Sequence, residues 1–312
     1  MNNSVAFIFP GQGSQYVGML KDVYEASPEA REIIQAADDS LGFKLSEICF
    51  NGPAEILQQT ENTQPAIFLH GYVLYRLLRD SGVQPVAAAG HSLGEYTALV
   101  SAQALLFEDA LKLVRLRGQL MQKAGEDQPG TMAAVIGLDS DSVVTICNLA
   151  RQAGIVQAAN FNAPGQVVIS GSIEGVTEAM EESKNRGARM VKELVVSGAF
   201  HSPLMQSAQS EMSEALQTAT VQDAVIPVYT NVTGQAVTEP DEIRTMLRDQ
   251  IVSPVRWESS MHNMVADGFT QFIEVGPGKV LRGLFKRIDP SVNVDTADTW
   301  GDFERIIQSS SS

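Results

Sequence analysis

Val-Ala-Ala-Ala-Gly-His-Ser-Leu-Gly-Glu-Tyr-Thr-Ala-Leu-Val (86–100) sets a serine between two glycines, with an apolar run before it and a helix-like run after it. Small residues two positions either side let a chain turn sharply from strand to helix while the hydroxyl stands exposed, the pattern of a nucleophile elbow. A helix starting there aims unpaired backbone N–H groups at any oxyanion formed beside Ser92. The same five residues also fit a plain glycine-rich turn whose serine caps a helix, so the flanking chain decides between the two.

Outward from this stretch, Val5-Ala6-Phe7-Ile8-Phe9 is short, apolar and stopped by Pro10-Gly11, as a buried parallel strand should be. Helical patterns cover 28–41, 63–81 and 107–123, so strands alternate with helices and the fold class is α/β with a mostly parallel sheet. Between Gly130 and Val196 the grain changes. A strand at 132–137, a helix at 139–153, a strand at 155–161, a turn at 162–165, a strand at 166–170, a helix at 172–186 and a strand at 189–196 follow one another. That β-α-β-β-α-β order is ferredoxin-like. Further strands near 227–229 and 271–275 resume the first pattern. The expected layout is a large subdomain from 1–128 and 198–312, a small ferredoxin-like subdomain from 129–197 inserted in it, and a ligand cleft between them. The serine-rich tail Gln308–Ser312 is expected to be disordered.

The 312 residues carry a formal net charge of -15, which speaks against nucleic acid as a partner. An acidic partner or substrate would need positive charge gathered locally. Two clusters do this: Lys279, Arg282, Lys286 and Arg287, and Lys184, Arg186, Arg189 and Lys192. Each also fits an ordinary solvated face. The start, Met1-Asn2-Asn3-Ser4, has no basic region of a signal peptide, and no apolar run reaches membrane-spanning length, so a cytoplasmic protein without a membrane partner is expected. Cys49 and Cys147 have no metal-like spacing, and no metal is expected. Gly11-Gln12-Gly13 follows a strand but has Tyr16 where a dinucleotide fold needs its third glycine, and Gly276-Pro277-Gly278-Lys279 breaks the phosphate-loop spacing.

A serine hydroxyl needs a base, and the chain has four histidines. His70 lies in a helical pattern, His262 in a polar helix at 257–267, and His91 on the turn beside Ser92, where its side chain should aim away from that of the serine. His201 remains, on a loop at the subdomain junction after the last strand of the insert. Leu93 N–H, next after the nucleophile, and Gln12, between two glycines on the first loop, are candidate oxyanion donors. Arg117 falls on the helix from 107, where helical phase does not settle its direction. As a surface residue it would lay its stem along the helix; facing the cleft it would suit bidentate capture of a carboxylate.

Taken in order, Phe-Pro-Gly-Gln-Gly-Ser-Gln (9–15), Gly-His-Ser-Leu-Gly-Glu-Tyr (90–96), Arg-Gly (117–118), Asn-Phe-Asn-Ala-Pro-Gly-Gln-Val-Val-Ile-Ser-Gly (160–171), Ala-Phe-His-Ser-Pro-Leu-Met (199–205) and Glu-Val-Gly-Pro-Gly-Lys-Val-Leu (274–281) resemble the malonyl-CoA:acyl carrier protein transacylases of bacterial fatty-acid synthesis, from about residue 4 to about 290. The discrete acyltransferases of polyketide assembly are similar too. The resemblance implies an α/β-hydrolase-like core with an inserted ferredoxin-like subdomain. It also implies Ser92 as nucleophile, His201 as base oriented by the backbone carbonyl of Gln250, and Gln12 and the Leu93 N–H as oxyanion hole. Arg117 would bind the malonyl carboxylate. His91, Asn160 and Phe200 are expected at the acyl group, the Phe200 ring filling the space a branched 2-substituent would need. The implied substrates are malonyl-CoA and a phosphopantetheinylated acyl carrier protein, with no tightly bound cofactor and a monomeric enzyme. The acidic carrier gives Lys279, Arg282, Lys286 and Arg287 a docking role. An acyl hydrolase or a non-catalytic docking module are the rival readings; the first would not need Arg117, the second would not need Ser92 and His201.

Overall fold

Burial on both faces explains why Val5–Phe9 is apolar at every position: it is a central strand of a sheet covered by helices on both sides. The structure, a computed structural model, describes residues 5–310. Met1–Ser4, read above for a targeting signal, and Ser311–Ser312 lie outside them. Within that range the strands are β1 (Val5–Phe9), β2 (Ala87–Gly90), β3 (Thr131–Ile136), β4 (Val156–Ala163), β5 (Gln166–Gly171), β6 (Met190–Glu193), β7 (Val228–Tyr229), β8 (Ala236–Val237), β9 (Gln271–Val275) and β10 (Asn293–Ala297).

Six strands form one sheet in the order β10-β9-β1-β2-β7-β8, parallel except for the edge pair β7–β8. In it Phe9 stands opposite Gly90, so the first loop and the elbow leave the sheet side by side. The other four form an antiparallel sheet in the order β4-β5-β3-β6, with helices Ser140–Ala150 and Ile173–Asn185 as its crossovers, which is the ferredoxin-like arrangement. The last strand is shorter than its sequence reading. β6 ends at Glu193, and Leu194–Val196 run on toward the junction instead of pairing along their length. The small sheet is tied to the segment before the helix Trp257–Ala266, where Phe161 N–H donates to Val255 O at 2.9 Å and Val255 N–H to Ala159 O at 2.8 Å.

The expected disorder of the tail does not hold for Gln308–Ser310. These residues complete the helix Trp300–Ser310, whose Ile306 is buried, and the Ser309 and Ser310 hydroxyls donate back to the Ile306 carbonyl. No helix among the described residues is long and apolar enough to cross a membrane. Both cysteines are free and buried, in separate cores, and burial pushes each thiol up to about 12.

Candidate active site

Ser92 sits at φ 52°, in the left-handed region, between β2 and the helix Gly94–Ser101. The turn closes only because its neighbours lack side chains. A Cβ on Gly90 would come within 1.9 Å of the Gly94 carbonyl carbon, one on Gly94 within 2.2 Å of Phe9 O, and one on Gly11 within 2.4 Å of His91 O. Asn231, after β7, holds the strained turn from below: its Oδ1 accepts from Ser92 N–H at 2.6 Å and its Nδ2 donates to Gly90 O at 2.6 Å.

Ser92 Oγ lies 2.8 Å from His201 Nε2, and His201 Nδ1 lies 2.8 Å from the Gln250 carbonyl. A carbonyl only accepts, so Nδ1 carries the proton and Nε2 is free to receive one from the serine. Burial and the nearby Arg117 charge push the His201 imidazole down to about 3, against the Gln250 bond that raises it. The ring is held in its neutral form, with Nε2 open to accept a proton. His201 is itself at φ 56°, and its carbonyl accepts from Gln157 Nε2 at 2.7 Å.

Arg117 is 1% exposed, so the surface reading of it is wrong. Its helix, Phe107–Asp127, packs beneath the helix Thr60–Asp80, and Gly118 permits the approach: a Cβ there would lie 2.8 Å from Thr60 O. The crossing turns Arg117 inward. Nη1 donates to Gln64 Oε1 at 2.8 Å, while Nη2 donates to Gln250 Oε1 at 2.9 Å and to Ser92 Oγ at 3.1 Å. All three partners are neutral. The guanidinium stands over the Tyr96 ring, 5.9 Å from its centroid, and burial lowers its hold on the proton against the opposing influence of Tyr96 and Glu95.

Ser92, Arg117 and His201 line one cavity of about 210 Å³, together with Gln12, Leu93, His91, Asn160 and Phe200. The Gln12 side chain donates to Thr60 Oγ1 at 3.2 Å, and the N–H groups of Gln12 and Leu93 have no acceptor among the described residues. His91 does reach the cavity wall, fixed by a 2.8 Å bond from Nε2 to Asn162 Oδ1. Val280, Leu281 and Leu284 bring the helix Val280–Ile288 to the cavity. Lys279, Lys286 and Arg287 are exposed along it and Arg282 is half-buried, while Arg287 is engaged with Gln166 Oε1 and Pro164 O. The helix starts against the buried Glu274, whose two carboxylate oxygens accept from Leu281 and Arg282 N–H. His70 is packed, its Nε2 2.8 Å from Asp298 O, and His262 is exposed near Glu258. No cluster of three or more possible metal ligands occurs among the described residues.

The sequence reading missed Gln64, Asn231, Gln157, Glu95 and the side chain of Gln250. Gln64 and Glu95 did leave a signal, as polar residues inside helical runs that are otherwise bound for the core.

The chain matches the acyl transferase domain family over residues 6–304. The malonyl CoA-acyl carrier protein transacylase of Bacillus subtilis (strain 168) is 44% identical over 288 residues, 92% of this chain and 91% of that protein. The protein of that name from Haemophilus influenzae is 45% identical over 285 residues, 91% of each. The solved structure of the malonyl CoA-acyl carrier protein transacylase from Coxiella burnetii has a TM-score of 0.94 at 39% identity, over 98% of this chain and 97% of that one. A malonyl-transacylase solved in complex with its type II PKS acyl-carrier protein has a TM-score of 0.95 at 37% identity, over 98% of this chain and 100% of that one.

Proposed function

The chain belongs to the acyl transferase domain family, and on that premise we propose that it moves a malonyl group from malonyl-CoA to the phosphopantetheine thiol of an acyl carrier protein, through an ester on Ser92. The observation that carries the substrate is Arg117: a buried guanidinium with only neutral partners, one of them the nucleophile itself, 3.1 Å away. Such a group favours an acyl chain that ends in a carboxylate.

In the first half-reaction His201 Nε2 takes the Ser92 proton as Oγ attacks the thioester carbonyl. The oxyanion forms at the N–H groups of Leu93 and Gln12. The imidazolium is steadied by the Gln250 carbonyl on Nδ1, the place an aspartate holds in other serine enzymes. Collapse breaks the C–S bond, and His201 returns the proton to the departing CoA thiolate. In the second half-reaction His201 takes the proton of the carrier's thiol, the thiolate attacks the malonyl ester, and the proton goes back to Ser92 Oγ. The cycle is ping-pong and draws on side chains and amides of this chain alone, with no bound cofactor. We place it in the cytoplasm, as a monomer supplying extender units for fatty-acid synthesis. Lys279, Arg282 and Lys286, beside the cavity, receive the acidic carrier. Arg287 has the smaller share because it braces the small subdomain.

The test is the intermediate. Incubation with malonyl-CoA should add one malonyl group to the intact mass of the protein and none to Ser92→Ala, and the adduct should pass to holo carrier protein. A fatty-acid carrier should be loaded in preference to a polyketide one. Free malonate as the main product would make the enzyme a hydrolase.

A further inference from the structure

We propose that Glu95 is the positioning residue that gives Arg117 its preference for a carboxylate-bearing acyl group, acting through the side-chain amide of Gln250. The inference rests on the malonyl transfer argued above. Gln250 meets the chemistry twice. Its backbone carbonyl receives His201, and its side chain joins two buried ionisable groups: Oε1 accepts from Arg117 Nη2 at 2.9 Å while Nε2 donates to Glu95 Oε2 at 3.0 Å.

An amide has an accepting end and a donating end. Turned over, this one would set its NH₂ against the guanidinium and its oxygen against the Glu95 carboxylate, leaving two buried groups facing their own kind. Glu95, buried on the helix Gly94–Ser101 and held by Asn231 N–H at 2.8 Å, therefore fixes which end of Gln250 faces Arg117, together with the Ser92 carbonyl, which accepts from the same Nε2 at 3.0 Å. Gln64 Oε1 fixes the other nitrogen. The guanidinium is thus held by two amide oxygens, one on each terminal nitrogen, and the Glu95 carboxyl stands one amide away from it. A carboxylate bonded directly to Arg117 would neutralise the site. Glu95 orients it and leaves the charge for the substrate.

Acylation of Ser92 in the full-length enzyme, timed with malonyl-CoA and with acetyl-CoA, tests this. Glu95→Met keeps the volume and removes the acceptor; Glu95→Gln restores an acceptor oxygen. The methionine variant should lower the malonyl-to-acetyl ratio of kcat/KM by roughly tenfold or more, chiefly through KM for malonyl-CoA, and the glutamine variant should keep it within about threefold of wild type. Equal losses with both substrates, or an unchanged ratio in the methionine variant, overturn the proposal. Should Glu95→Met fail to fold, Gln250→Met, which retains the carbonyl beneath His201, carries the same expectation and the same refutation. A wild-type enzyme that forms no malonyl-serine would end the proposed function itself, a result that no change of ratio among variants can imitate.

Discussion

Ser92 and His201 face each other with both backbones in the left-handed region, at φ 52° and 56°, and their side chains 2.8 Å apart. A non-glycine residue in that region costs on the order of 1–3 kcal/mol, and here two such residues meet. Each is held by a side-chain amide from a distant segment, Asn231 for Ser92 and Gln157 for His201. With the pair preset, His201→Ala should slow acylation of Ser92 by roughly 10²–10⁴-fold while malonyl-CoA still binds. Rapid-quench measurement checks it, and a loss below about tenfold would remove His201 as base.

Arg117→Ala should reduce kcat/KM for malonyl-CoA by about 10²-fold more than for acetyl-CoA. Arg117→Lys should not recover it, because an ammonium cannot hold both amide oxygens in the same fork. Competition between the two thioesters reads the ratio directly; parallel losses would deny the carboxylate role.

Phe200 is buried against the cavity that Ser92, Arg117 and His201 share. Phe200→Ser should raise methylmalonyl transfer relative to malonyl by about tenfold, within the range that a pocket-filling side chain commands. An unchanged ratio in paired-substrate assays would place the steric limit elsewhere.

Burial lifts the Glu274 carboxyl to about 7, from an ordinary value of 4.5. The folded chain therefore keeps this proton between those values while the unfolded chain has lost it. The stabilisation is fully present below pH 4.5 and disappears as pH rises through about 7. Glu274→Gln cannot lose a proton. The difference in Tm, variant minus wild type, should grow more positive from pH 5 to pH 8, whatever its constant offset. A flat difference in calorimetry would mean that Glu274 is already ionised in the folded state at pH 5.

Lys279→Glu with Lys286→Glu should raise KM for the carrier protein several-fold, more so at low salt, and leave acylation by malonyl-CoA alone. An unaltered carrier KM would move the docking surface off this helix.

The elbow at Ser92 was legible because its demand is local: glycines at 90 and 94 are required by atoms within the same turn and the neighbouring strand. The β-α-β-β-α-β order of the small sheet was legible for a similar reason, since each element carries its own period. Arg117 was not. Its direction depends on how two helices cross at Gly118 and Thr60, and nothing in the phase of one helix contains that. Asn231, 139 positions from the serine it holds, left no local mark at all. The helical end of the tail was hidden by composition: serines read as solvated chain, yet these donate back into the helix that Ile306 anchors.

Gln157 has a wider consequence. From β4 of the small sheet it donates to the carbonyls of both His201 and Val252, next to the seam where Ala159 and Phe161 meet Val255. Drawing β4 away from the 250–255 segment would break these bonds and with them the hold on the His201 loop. The seam and the cavity lining are thus separate demands on the chain, and a side chain such as Phe200 is open to exchange without touching the bonds that seat His201.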